Sequence, residues 1–154
     1  MEPSDYLKPC LPMVHSTQAK MFRDGRGRVL KDMRGGNLDK IRQEWEMQTE
    51  VYRSCQRTAK PIQLAGPFFI MEDLGTSDPI TDLDELFREG DLLLAGLQQA
   101  NVLHGDLRPG NIIIKKNRPL AIDFGWAKWK TEKFHFDASL LGSTLYQMWG
   151  AQNA

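Results

Sequence analysis

The stretch from Val102 to Lys128, VLHGDLRPGNIIIKKNRPLAIDFGWAK, constrains the fold of this chain more than any other. It holds His104, Asp106 and Asn111 in the pattern H-G-D-L-R-P-G-N, and Asp123-Phe124-Gly125 begins twelve residues after Asn111. Between them lie Ile112-Ile113-Ile114, a polar turn over residues 115–119, and Leu120-Ala121-Ile122. Two short apolar runs around a basic turn read as a β-hairpin. A hairpin there folds the chain back, so Asp106 and Asn111 before it and Asp123 after it can converge on one small volume. Two carboxylates and an amide oxygen are hard ligands. They suit Mg²⁺ held partly by the phosphates of a nucleotide.

At these residues the chain resembles the protein-kinase superfamily, whose catalytic loop reads H-R-D-x-x-x-x-N and whose metal loop reads D-F-G. Gly105 stands where that pattern has Arg. This variant resembles the branch holding the aminoglycoside phosphotransferases, the lipopolysaccharide kinases and the small atypical protein kinases. The resemblance implies an α+β, two-lobed protein-kinase-like fold with a truncated C-lobe, ATP and Mg²⁺ as cofactors, and phosphoryl transfer to a hydroxyl. Under it, Asp106 orients the acceptor hydroxyl and takes its proton, and Asn111 and Asp123 hold the metal. Arg108, in place of the Lys common two residues after the catalytic Asp, contacts the transferring phosphate. His104 packs beneath the metal loop, and Leu107 and Phe124 belong to the core.

The chain has 154 residues, enough for one domain with a sizeable core. The expected division is an N-lobe over about residues 11–72 and a reduced C-lobe over about 76–150 of one minimal domain. Lys plus Arg, 20, balance Asp plus Glu, 20, so no global field argues for nucleic acid or a membrane surface. No apolar run is long enough to span a bilayer, and the first residues show no signal-peptide pattern. Cys10 and Cys55 have neither metal spacing nor a disulfide pattern. Reduced thiols and a cytoplasmic site of action, in the cell of origin or in a host, are therefore expected.

In chain order, residues 1–10 read as an extended arm, Leu11 to Val14 and Ala19 to Phe22 as strands, and Asp24-Gly25-Arg26-Gly27 as a hairpin turn. Arg28 to Lys31 is a third strand, with Val29-Leu30-Lys31 in the place of the family's V-A-I-K, so the resemblance gives Lys31 the nucleotide phosphates. No glycine stands at 15–18, where the family's phosphate loop belongs, and Ser16 and Thr17 would cover the phosphates instead. Asn37 or Asp39 can cap a helix to about Arg57, with Leu38, Ile41, Trp45, Tyr52 and Cys55 on its buried face. The family's helical Glu that pairs with the strand lysine would be Glu44, on the flank of that face, with Glu50, 19 residues after Lys31, as the alternative. Gln48, nearer the middle of the face, is a third contact open to Lys31.

Pro61 to Leu64 and Phe68 to Met71 form a second predicted hairpin. Met71-Glu72-Asp73-Leu74 resembles the kinase hinge, with Met71 as gatekeeper and the Glu72 carbonyl and Leu74 N–H offered to an adenine. A polar linker leads to one or two helices over Leu83–Ala100, broken or kinked near Gly90, with Leu86, Phe87, Leu92, Leu93, Leu94, Leu97 and Ala100 inward. After Gly125 the segment to Phe136 carries Lys128, Lys130 and Lys133 against one acid, Glu132; it reads first as a solvated loop and, as the alternative, as a basic lip for an acidic substrate. Asp137 then opens a helix that resembles the family's αF, whose first Asp ties the catalytic-loop backbone.

The expected activity is that of a minimal kinase acting on Ser/Thr hydroxyls of a protein. Two other readings stay open. A small-molecule kinase of the aminoglycoside or lipopolysaccharide type is favoured by H-G-D, and a kinase-fold pseudoenzyme acting by partner binding is favoured by the missing phosphate-loop glycines. Leu140, Leu141, Leu145, Tyr146, Met148 and Trp149 recur around more than one face of the last helix. A second copy of the chain or a protein partner is expected over Tyr146 and Trp149, unless Tyr6, Leu7 and Leu11 of the arm fold back there.

Overall fold

The computed structural model describes residues 11–12, 20–130 and 134–154. The arm at 1–10, the Ser16–Thr17 cover and Lys133 lie outside them. Five antiparallel strands make one sheet in the order β1-β2-β3-β5-β4: β1 Leu11–Pro12, β2 Lys20–Arg23, β3 Arg28–Asp32, β4 Pro61–Ala65 and β5 Phe68–Glu72. Of the three inner strands, β3 and β5 are the apolar ones, and Val29, Leu30 and Phe68 to Met71 are all buried. The β2–β3 turn forms where Gly25 and Gly27 supply φ of 75° and 83°. The Asp24 carboxylate there accepts from the Arg26 and Arg28 N–H groups, which closes the turn. Those glycines are thus the hairpin turn that their closeness to Lys31 implies.

Helix α1, Leu38–Cys55, begins at Asn37, whose side chain accepts from the Asp39 and Lys40 N–H groups, and ends at Gln56 in the left-handed region, φ 55°. Its buried stripe is Ile41, Glu44, Met47, Gln48 and Val51. The expected stripe needs correcting at its start, because Leu38 is 60% exposed. Ile41 is the last residue that Met33 and Leu64 cover, and Leu38 stands one turn beyond it.

Helix α2, Leu83–Gln99, is capped by the Asp82 carboxylate accepting from the Glu85 N–H. It is a single helix, so the break expected near Gly90 does not occur. The glycine serves packing instead. A Cβ at Gly90 would lie 3.0 Å from Leu145 Cδ1 of the last helix, and one at Gly96 would lie 2.4 Å from Cys55 Sγ of α1. Leu86, Leu93 and Leu97 line the buried stripe, whereas Leu92, expected inward, is 46% exposed because it falls off that seven-and-four spacing.

Strand β6, Val102–Leu103, pairs with β9, Lys128–Trp129, and the pair brackets the stretch that holds H-G-D and D-F-G. Within it a 3₁₀ turn at Pro109–Asn111 leads into the expected hairpin, β7 Ile112–Lys115 and β8 Arg118–Ala121. Lys116 and Asn117 at its tip have φ of 52° and 61°, the paired left-handed geometry of a two-residue hairpin turn. The Asn117 Oδ1 accepts from the Thr81 and Asp82 N–H groups and so pins the linker to the hairpin.

Helix α3, Phe134–Gln152, closes the fold. It starts three residues before Asp137, which therefore sits in the first turn rather than at the cap. Leu141 and Leu145 are buried, Leu140, Met148 and Trp149 pack partly against the same core, and Tyr146 is 61% exposed with its ring 5.9 Å from that of Trp149. Among the described residues no helix is long and apolar enough to cross a membrane.

Candidate active site

Lys31 reaches the site from β3 and is 1% exposed. Its Nζ pairs with the Glu44 carboxylate of α1 and lies 3.2 Å from Asp123 Oδ1. Burial alone would push this ammonium down, but Glu44 and Asp123 outweigh it and hold Lys31 above its ordinary range. Burial also works against the Asp123 carboxylate, yet Lys31 and the Gly125 N–H hold it below its ordinary value. Glu44 is thus the partner of Lys31. Glu50 is taken by Arg53 on the helix surface, and the Gln48 Nε2 donates to the Ala59 carbonyl at 2.9 Å.

The loop from His104 to Leu107 is tied from below. Asp137, fully buried, accepts from the His104 N–H at 2.8 Å and from the Gly105 N–H at 2.9 Å. Seven residues on, the Thr144 hydroxyl donates to the Leu107 carbonyl at 2.6 Å. Two turns of α3 thus present two polar groups to one loop. The role of Thr144 went unread in the sequence; its only signal is a lone hydroxyl on the face of Leu141 and Leu145.

His104 is buried, its ring 4.8 Å from that of Phe124 in a T-shaped pair. Its Nδ1 accepts from the Asp106 N–H and its Nε2 lies 3.0 Å from the Ile122 carbonyl, so the partners assign the neutral tautomer protonated at Nε2. Burial pushes its pKa below 6.5. In the unfolded chain the ring gains a proton as pH falls through about 6.5. The folded state refuses that proton until the pH is lower still, so stability is present above this window and lost as pH falls into it. Urea denaturation at pH 7.5 and pH 5.5 should show this loss, and His104→Gln should flatten the slope. An equal slope in both proteins would remove His104 as its cause.

Gly105 explains the departure from H-R-D. Its φ is 83°, and a Cβ there would lie 3.0 Å from the Trp126 carbonyl oxygen. Gly105→Ala should lose roughly 1–2 kcal/mol from the left-handed backbone alone, read as a lower melting temperature. An unchanged melting temperature would show that the loop accommodates the methyl group.

Asn111 donates its Nδ2 to the Asp106 carbonyl at 2.9 Å and to Asp106 Oδ2 at 2.8 Å, and neither bond uses its Oδ1. The Ile122 N–H donates to the Asn111 carbonyl, so Asn111 is fastened one residue from Asp123. Arg108 lies 3.2 Å from Asp106 Oδ1 with its side chain 62% exposed. Asp123 itself has φ 57°, and its Oδ1 accepts from the Gly125 N–H at 3.0 Å. Among the described residues no group of three or more His, Cys, Asp or Glu is placed to hold a metal ion. The oxygens of Asn111 and Asp123 therefore fit a Mg²⁺ that takes its remaining ligands from phosphate and water, not a metal held by protein alone.

On the other side of Lys31, Met71 ends the buried run of β5, and Leu74 packs on the cluster of Val29, Ala59, Phe69 and Met71. Ile122 joins that cluster, which brings the segment after β5 and the residue before Asp123 against one apolar wall. Glu72 is exposed, with its N–H donating to the Lys60 carbonyl, and the Asp73 N–H donates to Gly27.

A sheet with one long helix, joined to a helical part that carries this loop, is a protein-kinase-like fold. A family model described as APH, phosphotransferase enzyme family, matches residues 7–131. The chain belongs to that phosphotransferase family. A comparison with curated proteins finds no match. Among solved structures it is similar to the Rio2 kinase of Chaetomium thermophilum in an ADP/Mg²⁺-phosphoaspartate complex, with a TM-score of 0.66 and 15% identity over 90% of this chain and 53% of that one. A second Rio2 kinase structure from the same organism matches at a TM-score of 0.64 and 13% identity over 91% of this chain and 56% of that one. The chain thus spans about half the length of these kinases.

Proposed function

We propose that the protein is an ATP- and Mg²⁺-dependent kinase that phosphorylates Ser/Thr hydroxyls of a protein. The observation that carries this reading is the buried Lys31, kept charged between Glu44 and Asp123 from two different elements. Burying an ammonium is costly, and a core needs no such group. Mg²⁺·ATP supplies the transferable phosphoryl group and the charge that offsets its oxygens. Lys31 offers its ammonium to the phosphates, and Asn111 and Asp123 offer the metal oxygens. Met71, Glu72 and Leu74 receive the adenine. Asp106, steadied by Asn111, orients the acceptor hydroxyl and takes its proton, and Arg108 meets the transferring phosphate. Such catalysis is mostly positioning and charge stabilisation.

Asp123→Ala tests the metal assignment without needing an acceptor. At about a hundred times its dissociation constant a ligand stabilises a fold by roughly 2.7 kcal/mol. The wild type should show a matching Mg²⁺-dependent melting shift with ATP, and the variant should lose most of it. An undiminished shift would place the metal elsewhere.

The membership in the phosphotransferase family and the glycine of H-G-D favour a second reading, a hydroxyl of a small molecule as acceptor. Labelled ATP offered with a cell lysate separates the two by whether protein or the low-mass fraction takes up label.

A further inference from the structure

Beside the catalytic loop lies a cavity of about 520 Å³, lined by Leu103, Gly105, Trp126, Lys128, His135 and Phe136. Its volume falls within the roughly 300–1,000 Å³ typical of ligand pockets. It adjoins Gly105, the residue before Asp106 in the chain, and so lies on the loop that carries the proposed proton acceptor. Trp126 and Phe136 are 55% and 50% exposed and line the same cavity, so they form a patch of two large apolar rings. The described lining residues include one cation, Lys128, and one imidazole, His135, but no carboxylate. Lys128, Trp129 and Lys130 are all exposed, which carries the basic and aromatic surface beyond the cavity.

We propose that this cavity recognises the acceptor, and that the acceptor is a peptide segment with a large apolar side chain beside the phosphorylated Ser or Thr and an acidic residue close by. The proposal rests on the protein-kinase reading above and names its substrate class. The aromatic walls take the apolar group by burial, and Lys128 meets the acidic one. A polycationic acceptor would face Lys128 with no lining carboxylate among the described residues to offset it. The surface running on through Trp129 and Lys130 suits an extended chain better than a compact molecule.

A Ser-peptide library with the neighbouring positions varied tests this, together with fluorescence titration of the tryptophans by the Ala analogue of the preferred peptide. The wild type should select a large apolar and an acidic neighbour. Phe136→Ala should lower kcat/KM for that peptide at least about tenfold, as a lost apolar contact of this size does. Lys128→Glu should lower it about two- to five-fold, the range of an exposed ion pair. Both variants alter exposed residues and should keep the wild-type Mg²⁺·ATP melting shift, which shows that they fold. Transfer without these preferences, or preferences that survive both substitutions, would overturn the proposal. So would an Ala analogue that fails to bind while the Mg²⁺·ATP shift is present, since the nucleotide site would then stand without the peptide pocket. Absence of both the shift and any transfer would instead strike the phosphotransferase reading, and this proposal with it.

Discussion

Asp106→Asn should bind Mg²⁺·ATP as the wild type does and transfer the phosphoryl group about 10²- to 10⁴-fold more slowly, the usual contribution of a positioned general base. The substitution keeps the size and shape of the side chain. The Asn111 Nδ2 still has the Asp106 main-chain carbonyl at 2.9 Å, and an amide oxygen at position 106 can replace the carboxylate oxygen at 2.8 Å. What disappears is the capacity to accept a proton. Label moved from ATP to the acceptor measures the rate, and the melting shift with Mg²⁺·ATP measures binding. Normal transfer in the variant would show that Asp106 is not the proton acceptor. Loss of the shift would give the residue a part in holding the nucleotide.

The second large effect concerns the buried ion pair. Removing one partner of a buried pair costs about 3–5 kcal/mol, because the other charge is left unpaired in a dry site. Glu44→Ala should therefore unfold below the wild-type temperature, by less than the full cost because Asp123 at 3.2 Å stays as a counter-charge for Lys31. The double variant Lys31→Met/Glu44→Leu carries no lone charge from the pair and should recover much of the loss, while nucleotide affinity falls. Melting curves of the three proteins with and without Mg²⁺·ATP decide it. A Glu44→Ala protein as stable as the wild type would mean that the pair contributes little, whatever its geometry.

The site was legible where chemistry demands particular residue types at short spacing. His104, Asp106, Asn111 and Asp123 span twenty residues around one hairpin, and the hairpin itself announces its turn. Glu44 could be reached only by projecting a helix, because its partner lies on another element. Features set by close approach between distant segments stayed hidden. Gly90 looked like a weak point in a helix and is a seat for Leu145. Gly105 looked like a motif variant, and only the nearby Trp126 carbonyl gives the reason. Leu38 and Leu92 carry apolar side chains at helical positions that the neighbouring elements do not reach. Thr58, whose hydroxyl donates to the Ala121 carbonyl at 2.6 Å, gave no local sign of spanning 63 residues.

That bond belongs to a set at the end of α1. Cys55 presses on Gly96, Arg57 pairs with Glu89 of α2, the Ala121 N–H donates to the Arg57 carbonyl, and Thr58 closes on Ala121 two residues before Asp123. The helix that carries Glu44 is thus riveted to the strand that delivers Asp123. A helix tied at this end is held as a hinge is held, at its last turn, while Glu44, about three turns upstream, meets β3 through its pair with Lys31. The pair is therefore the clasp at the open end of a lever whose pivot is built into the strand that leads to Asp123.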